Sequence, residues 1–314
     1  MKKYFLILTF VYHLGSLNSQ NADSIRSQIY YTEMLDTIEK YSLVSDSIKW
    51  PLFRKEIEFL ASGHSKDTSF IVLNRILNEL RLHGDFHSYW RSRKREREKS
   101  MMSDSFNYPK LNLLEGQFGH LVIPSFNKGN DLDQYLFLDS TIRQIAKADR
   151  ENELKGWLVD LRNNTGGSMY PMIACILPLI EEDSLGYFLD KKGKTSWNSI
   201  FKKSKMAIQR VPKYKCKNLN LKIALLIDHK TASAAEMTAI SLLGKSNVKL
   251  LGQKSKGLVT ANRKFKLSNG SALILATSWC VDRNGKVYND KLVPDIIEKD
   301  DKVLLETAIN WLKK

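Results

Sequence analysis

LLIDHKTASAAEMTAISLLG, Leu225 to Gly244, is the stretch on which the reading of this chain turns. The apolar run Ile223 to Ile227 predicts a buried strand, a short polar turn follows it, and a helix of small residues opens around Ser233. A hydroxyl at such a strand-to-helix turn sits where backbone N–H groups lack partners. That position exposes a nucleophile and supplies electrostatic help for an oxyanion. Ser233 is therefore the candidate nucleophile of a hydrolase, and such chemistry requires a base and an oxyanion hole elsewhere in the chain.

Outward from this segment, strands alternate with helices. HLVIPSF predicts a strand, Leu132 to Ala148 a helix, GWLVDLR a buried strand and Met169 to Ile180 an apolar helix. A short strand at Leu185 to Leu189, LKIALLID, the Ser233 helix and VKLLG follow in order. RKFKLSNGSALILATSW predicts two strands around an Asn269-Gly270 turn, and Lys302 to Leu312 a closing amphipathic helix. This order argues for a layered α/β core with some antiparallel pairing. Before it, residues 21 to about 97 read as helical, with apolar spacing in IYYTEMLDTIEKYS and FIVLNRILNELRLH, a helix start at Trp50-Pro51 and a break at 63–65. Residues 101–117 read as an irregular linker, with Pro109 and Gly116.

The 314 residues can bury a substantial core, and the composition excludes a disordered chain, a repeat array or a coiled coil. Lys2 and Lys3, the apolar run Tyr4 to Leu14 and small or polar residues to Gln20 have the order of a secretory signal peptide. The run is short for a membrane span, and export without stable membrane insertion is expected. Three cysteines, Cys175, Cys216 and Cys280, stand in no metal-binding spacing and read as free and buried. The net charge of +15 could signal nucleic acid. Its densest run, RSRKREREKS from Arg91 to Ser100, alternates in sign and predicts a solvated helix face, so no nucleic-acid partner is expected.

The candidate base is His87 in LHGDFHSYW. His83 lies one turn earlier on the helix, whereas the Gly84-Asp85 break lets His87 leave it and face a cleft. The candidate oxyanion hole is DLRNNTGGS, Asp160 to Ser168, where a buried strand ends in a polar turn. Gly166 and Gly167 there permit positive φ and close backbone approach.

Together these segments resemble the C-terminal processing (tail-specific) serine peptidases and their relatives with a tricorn-type core. The resemblance rests on LNELRLHGDFHSYW, GHLVIPSF, GWLVDLRNNTGGS and IALLIDHKTASAAEMTA, followed by VKLLGQKSKG, LSNGSALILATSW and NGKVYNDKLVPDI, in the family's order. It implies a crotonase-like (ClpP/crotonase) α/β core from 118 to 314 beneath a small helical N-terminal domain at 21–100. It also implies an oxyanion hole from Gly166, Gly167 and the Ala234 N–H, and an acidic position at Glu236 near the nucleophile. In the processing branch a lysine is the base, but the aligned position here is Leu258, with Lys254 and Lys256 out of register. That departure favours the tricorn-type branch with His87 as base. The interval from His87 to Phe118 leaves no room for the PDZ domain that processing enzymes often carry.

The expected activity is that of an exported serine peptidase, periplasmic or secreted, acting on a peptide or protein through an acyl-enzyme. No cofactor or metal is expected, since no metal motif, P-loop or dinucleotide fingerprint is present. The GxSxG elbow of common esterases is also missing. A catalytically silent binding protein on the same fold and a hydrolase of non-peptide acyl groups are the alternatives.

Overall fold

The computed structural model describes residues 29–62, 66–101, 107–127, 130–180, 185–198, 211 and 213–314. The expected signal peptide, 1–20, and the break at 63–65 lie outside the described residues. In chain order the helices are α1 (29–41), α2 (Trp50–Ala61), α3 (Lys66–Leu82) and α4 (Arg93–Met101). Then come α5 (Asp131–Glu151), α6 (Met169–Ile176), α7 (Ala234–Leu242) and α8 (Asp301–Lys313). The strands are β1 (Tyr89–Arg91), β2 (Lys110–Leu114), β3 (Phe118–Val122), β4 (Gly156–Asp160), β5 (Tyr187–Asp190) and β6 (Gly193–Ser196). After them come β7 (Lys222–Ile227), β8 (Val248–Gly252), β9 (Thr260–Lys266), β10 (Ala272–Val281), β11 (Val287–Tyr288) and β12 (Ile296–Ile297).

The chain forms two compact units. The first takes the described residues up to 101 together with 262–277; the second takes the rest. In the first unit, helical spacing decides what is buried. Met34 and Ile38, then Phe53, Ile57 and Ala61, then Val72, Ile76 and Leu80 recur four residues apart and fill one core. Leu267, Leu273 and Leu275 from the 262–277 segment join that core. β1 pairs antiparallel with the start of β10, Tyr89 opposite Ile274. This strand interrupts a stretch whose local pattern reads as helical, because its partner lies far along the chain and leaves no local period. In α4, Lys94 and Glu98 stand 3.9 Å apart at i,i+4.

The second unit is built on one sheet of order β12-β8-β7-β4-β3-β2. All neighbours run parallel except β2, which pairs antiparallel with β3 at the edge. β2 occupies part of the stretch read as irregular, and its five residues lack a clean burial alternation. Side chains alternate between the two faces of the sheet. Trp157, Val159, Ile223, Leu225 and Ile227 meet α5, α6 and α7 in one core. Leu158, Ala224 and Leu226 meet Leu304, Ala308 and Leu312 of α8 in another. The parallel order sends β4 and β7, side by side, to the same edge of the sheet, where the DLRNNTGGS and IDHKTAS turns follow them. A smaller antiparallel set, β6-β5-β10-β11, uses the end of β10. Among the described residues no helix is long and apolar enough to cross a membrane.

Gly119 in β3 stands opposite Trp157 in β4, and a Cβ there would lie 2.3 Å from the indole Cζ3. The ring fills the space a side chain would need. Gly119→Ala should therefore cost about 1–3 kcal/mol by overpacking, read as a lowered urea midpoint at unchanged slope. An unchanged midpoint would contradict this packing.

Candidate active site

The site in the second unit is assembled from the turns that leave β4 and β7. After β7, Asp228 closes a side-chain turn. Its Oδ1 accepts the Lys230 and Thr231 N–H groups, both at 2.9 Å. Its Oδ2 accepts the Asn163 N–H at 3.0 Å, which stitches this turn to the other. The Thr231 hydroxyl adds a second stitch, accepting the Asp228 N–H and donating to the Leu161 carbonyl, each at 2.9 Å. A third joins the Ala232 N–H to the Asn164 carbonyl at 3.0 Å. Two residues with short polar side chains thus hold IDHKTAS against the end of β4.

These stitches deliver Ser233 to the N-terminus of α7 in an unusual backbone conformation, φ 54° and ψ −119°. A residue with a Cβ in this region carries strain of roughly 1–3 kcal/mol and needs its surroundings to hold it there. The holding group is Glu236, which is fully buried. Its Oε2 accepts the N–H of Ser233 at 2.7 Å and of Leu258 at 2.8 Å. Its Oε1 accepts the Gly257 N–H at 2.8 Å and the Ser255 hydroxyl. Burial lifts the Glu236 carboxyl above its ordinary range, against the hydrogen bonds from Ser255, Gly257, Ser233 and Leu258 that favour the anion. Glu236 therefore fixes the main chain around the hydroxyl.

The glycine turn approaches from the other side. Gly166 (φ 101°) has no room for a side chain: a Cβ would stand 2.7 Å from the Ala232 carbonyl oxygen and 3.1 Å from Ser233 Cβ. At Gly167 (φ 117°) a Cβ would meet the Phe126 carbonyl oxygen at 2.0 Å. The Gly166 N–H donates to Asn164 Oδ1 at 2.9 Å. The N–H groups of Gly167 and Ala234 have no acceptor among the described residues.

His87 belongs to the first unit. It lies beyond the end of α3, past Gly84 at φ 91°. Asp85 Oδ1 accepts the main-chain N–H of His87 at 3.0 Å and of Ser88 at 2.9 Å, and the His87 carbonyl accepts from Asn262 Nδ2 at 3.2 Å. Burial raises the Asp85 carboxyl above its usual range, opposed by these Ser88 and His87 donors. His83, the residue after the end of α3, pairs with Glu79 at 3.3 Å. Lys254 and Lys256 are exposed, and Lys256 contributes only its main-chain N–H, to the Thr231 carbonyl at 2.9 Å. The three cysteines are free and buried; burial pushes the Cys175 and Cys216 thiols up to about 12.

Asn164, Asp228, Thr231 and Ser255 build the site without standing out in the sequence. Their one signal is the clustering of Asp, Asn, Thr and Ser at strand ends, where such side chains satisfy main-chain groups. Asp160, which opens the DLRNNTGGS motif, serves a different purpose. It is buried, with His120 Nε2 at 3.0 Å and Arg162 Nη2 at 2.6 Å, and Arg162 reaches Asp301 at the start of α8 at 2.6 Å.

The description "Peptidase family S41" matches residues 117–298 of the chain. The chain belongs to peptidase family S41. It is a serine-type peptidase of that family. It is 29% identical over 303 residues to the nisin-resistance protein of Lactococcus lactis, across 91% of this chain and 87% of the relative. A lipoprotein structure from Streptococcus agalactiae superposes with a TM-score of 0.75 at 30% identity, covering 91% of this chain and 96% of that one. The photosystem II D1 C-terminal processing protease shares the fold at a TM-score of 0.62 and 12% identity, over 92% of this chain and 97% of its own.

These matches correct the expected fold class. The fold is that of S41 peptidases, not a crotonase-like (ClpP/crotonase) core. Strand–helix alternation predicts layers, but it does not determine strand order, the antiparallel β2 edge, or the return of 262–277 to the helical unit.

Burial alone would raise the Asp160 carboxyl, but hydrogen bonds from His120 and Arg162 and the guanidinium charge hold it below its ordinary value. A depressed folded-state pKa contributes stability that is present above the unfolded pKa and is lost as pH falls through the folded one. Asp160→Asn should then cost about 3 kcal/mol at neutral pH, and the gap to the parent should close toward about pH 2. Urea unfolding across pH tests this; a gap independent of pH would contradict it.

Proposed function

We propose that the chain is an exported serine peptidase in which Ser233 is the nucleophile and His87 the general base. The observation that carries this reading is the strained Ser233, pinned by Glu236 at a helix N-terminus beside the Gly167 and Ala234 N–H groups, which have no acceptor among the described residues. His87 takes the proton of the Ser233 hydroxyl while Oγ bonds to the peptide carbonyl carbon. The carbonyl oxygen becomes an anion facing the Gly167 and Ala234 amides. The imidazolium returns its proton to the leaving amine, and water, activated by the same imidazole, releases the acyl group. Gly166, whose N–H is taken by Asn164, contributes close approach and no hydrogen bond to the anion.

A histidine base of the tricorn type is supported by Leu258 at the position where the processing branch resemblance expects lysine. It is also supported by the exposure of Lys254 and Lys256, since a lysine base would need burial to lower its pKa. In this reading 118–314, apart from the hairpin 262–277, forms the catalytic core, the helices of 21–100 form a second domain, and no PDZ domain intervenes. The protein is exported to the cell envelope, as the names of the Lactococcus and Streptococcus relatives support, and works in the periplasm or outside the cell on peptides or proteins. Nisin, named in one relative, is the first substrate to assay.

A fluorophosphonate probe should label the mature protein. Ser233→Ala should abolish labelling, and His87→Ala should slow it by at least about 100-fold. Well-folded parent protein that does not label would favour a silent binding protein instead.

A further inference from the structure

Asn164 is 1% exposed and uses every polar atom of its side chain. Oδ1 accepts the Gly166 N–H at 2.9 Å and the Ser125 hydroxyl at 3.1 Å. Nδ2 donates to the Ile123 carbonyl at 2.9 Å and stands 3.2 Å from Met172 Sδ. Ser125 Oγ in turn accepts the Thr165 N–H at 2.8 Å. The carboxamide therefore ties the exit of β3 to the peptides on either side of Thr165, immediately before the paired glycines. Its main-chain carbonyl meanwhile holds Ala232, next to the nucleophile.

We infer that Asn164 is a positioning residue for the oxyanion hole: by taking the Gly166 N–H, its Oδ1 sets the peptide orientation that leaves the next amide, Gly167, presented to substrate. The inference rests on the reading of Ser233 as nucleophile. Gly166 is buried, so its N–H cannot fall back on bulk water. Without Oδ1 the turn must rotate to find another acceptor. The two glycines, at φ 101° and 117°, themselves tolerate rotation, and the 166–167 peptide then keeps only the Phe126 N–H on the Gly166 carbonyl, at 3.1 Å, to hold it. Rotation of the 166–167 peptide carries the Gly167 N–H away from the anion. The loss would fall on the transition state, because the carbonyl oxygen gains its full charge only there.

The test uses the mature protein, a fluorogenic peptide it cleaves, and fluorophosphonate titration to count working sites. For Asn164→Ala, kcat per titrated site should fall about 100-fold while KM stays within about threefold. Labelling should slow in parallel with kcat. A merely structural role would lower the number of titratable sites and leave kcat per site unchanged, and that result would overturn the inference. Asn164→Asp keeps an acceptor oxygen for Gly166 but adds a charge beside the anion. Its kcat relative to parent should rise as pH falls toward about 5, as the new carboxyl takes up a proton. If Asn164→Ala does not fold, this ratio decides the matter: a ratio independent of pH overturns the inference. A parent protein that labels equally well as Ser233→Ala removes the nucleophile reading itself. Parent protein silenced by Ser233→Ala, with Asn164 variants at parental kcat per site, removes the Asn164 inference alone.

Discussion

The positive φ of Ser233 is the constraint around which this site is organised. A serine left to itself would relax to negative φ. Glu236 prevents this with one carboxylate oxygen on the Ser233 N–H and the same oxygen on Leu258. Its other oxygen holds Ser255 and Gly257. The Ser255 hydroxyl also accepts the Leu292 N–H at 2.8 Å, so the restraint extends into the C-terminal segment. A single buried carboxylate couples the nucleophile turn, the 255–258 loop and the chain at 292.

Two motifs divide the remaining work. In DLRNNTGGS, Asp160 and Arg162 face His120 and Asp301 and anchor α8, while Asn164, Gly166 and Gly167 shape the surface beside Ser233. In IDHKTAS, Asp228 and Thr231 stitch one motif to the other, and Ser233 is left at the helix entry with its Cβ against Gly166. Each motif thus contains residues that brace the fold and residues that present chemistry. Sequence spacing alone does not separate the two kinds.

Elements buried along a strong period were legible. VKLLG is β8 from Val248 to Gly252, and the hairpin around Asn269-Gly270 stands where turn chemistry puts it. β1 was not legible because its partner lies far along the chain, and β2, although β3 follows it directly, because its mostly exposed residues lack a burial alternation. The crotonase-like class came from the family resemblance, and the strand order that separates one layered α/β fold from another is not written in the alternation of strands and helices. Glu236 was visible only as an acid near the nucleophile, since its partners Ser255, Gly257 and Leu258 lie about twenty residues away. Asn164 stood within the DLRNNTGGS motif with no role of its own. Its importance comes from burial and saturation of its hydrogen bonds, neither of which a single sequence displays.

The most direct measurement is a crystal structure of the mature protein after reaction with a fluorophosphonate. The account predicts a phosphorus–oxygen bond to Ser233 Oγ, with the phosphonyl oxygen within hydrogen-bonding distance of the Gly167 and Ala234 nitrogens, and the Gly166 N–H still on Asn164. An adduct on another residue, or a phosphonyl oxygen turned away from both amides, would contradict it.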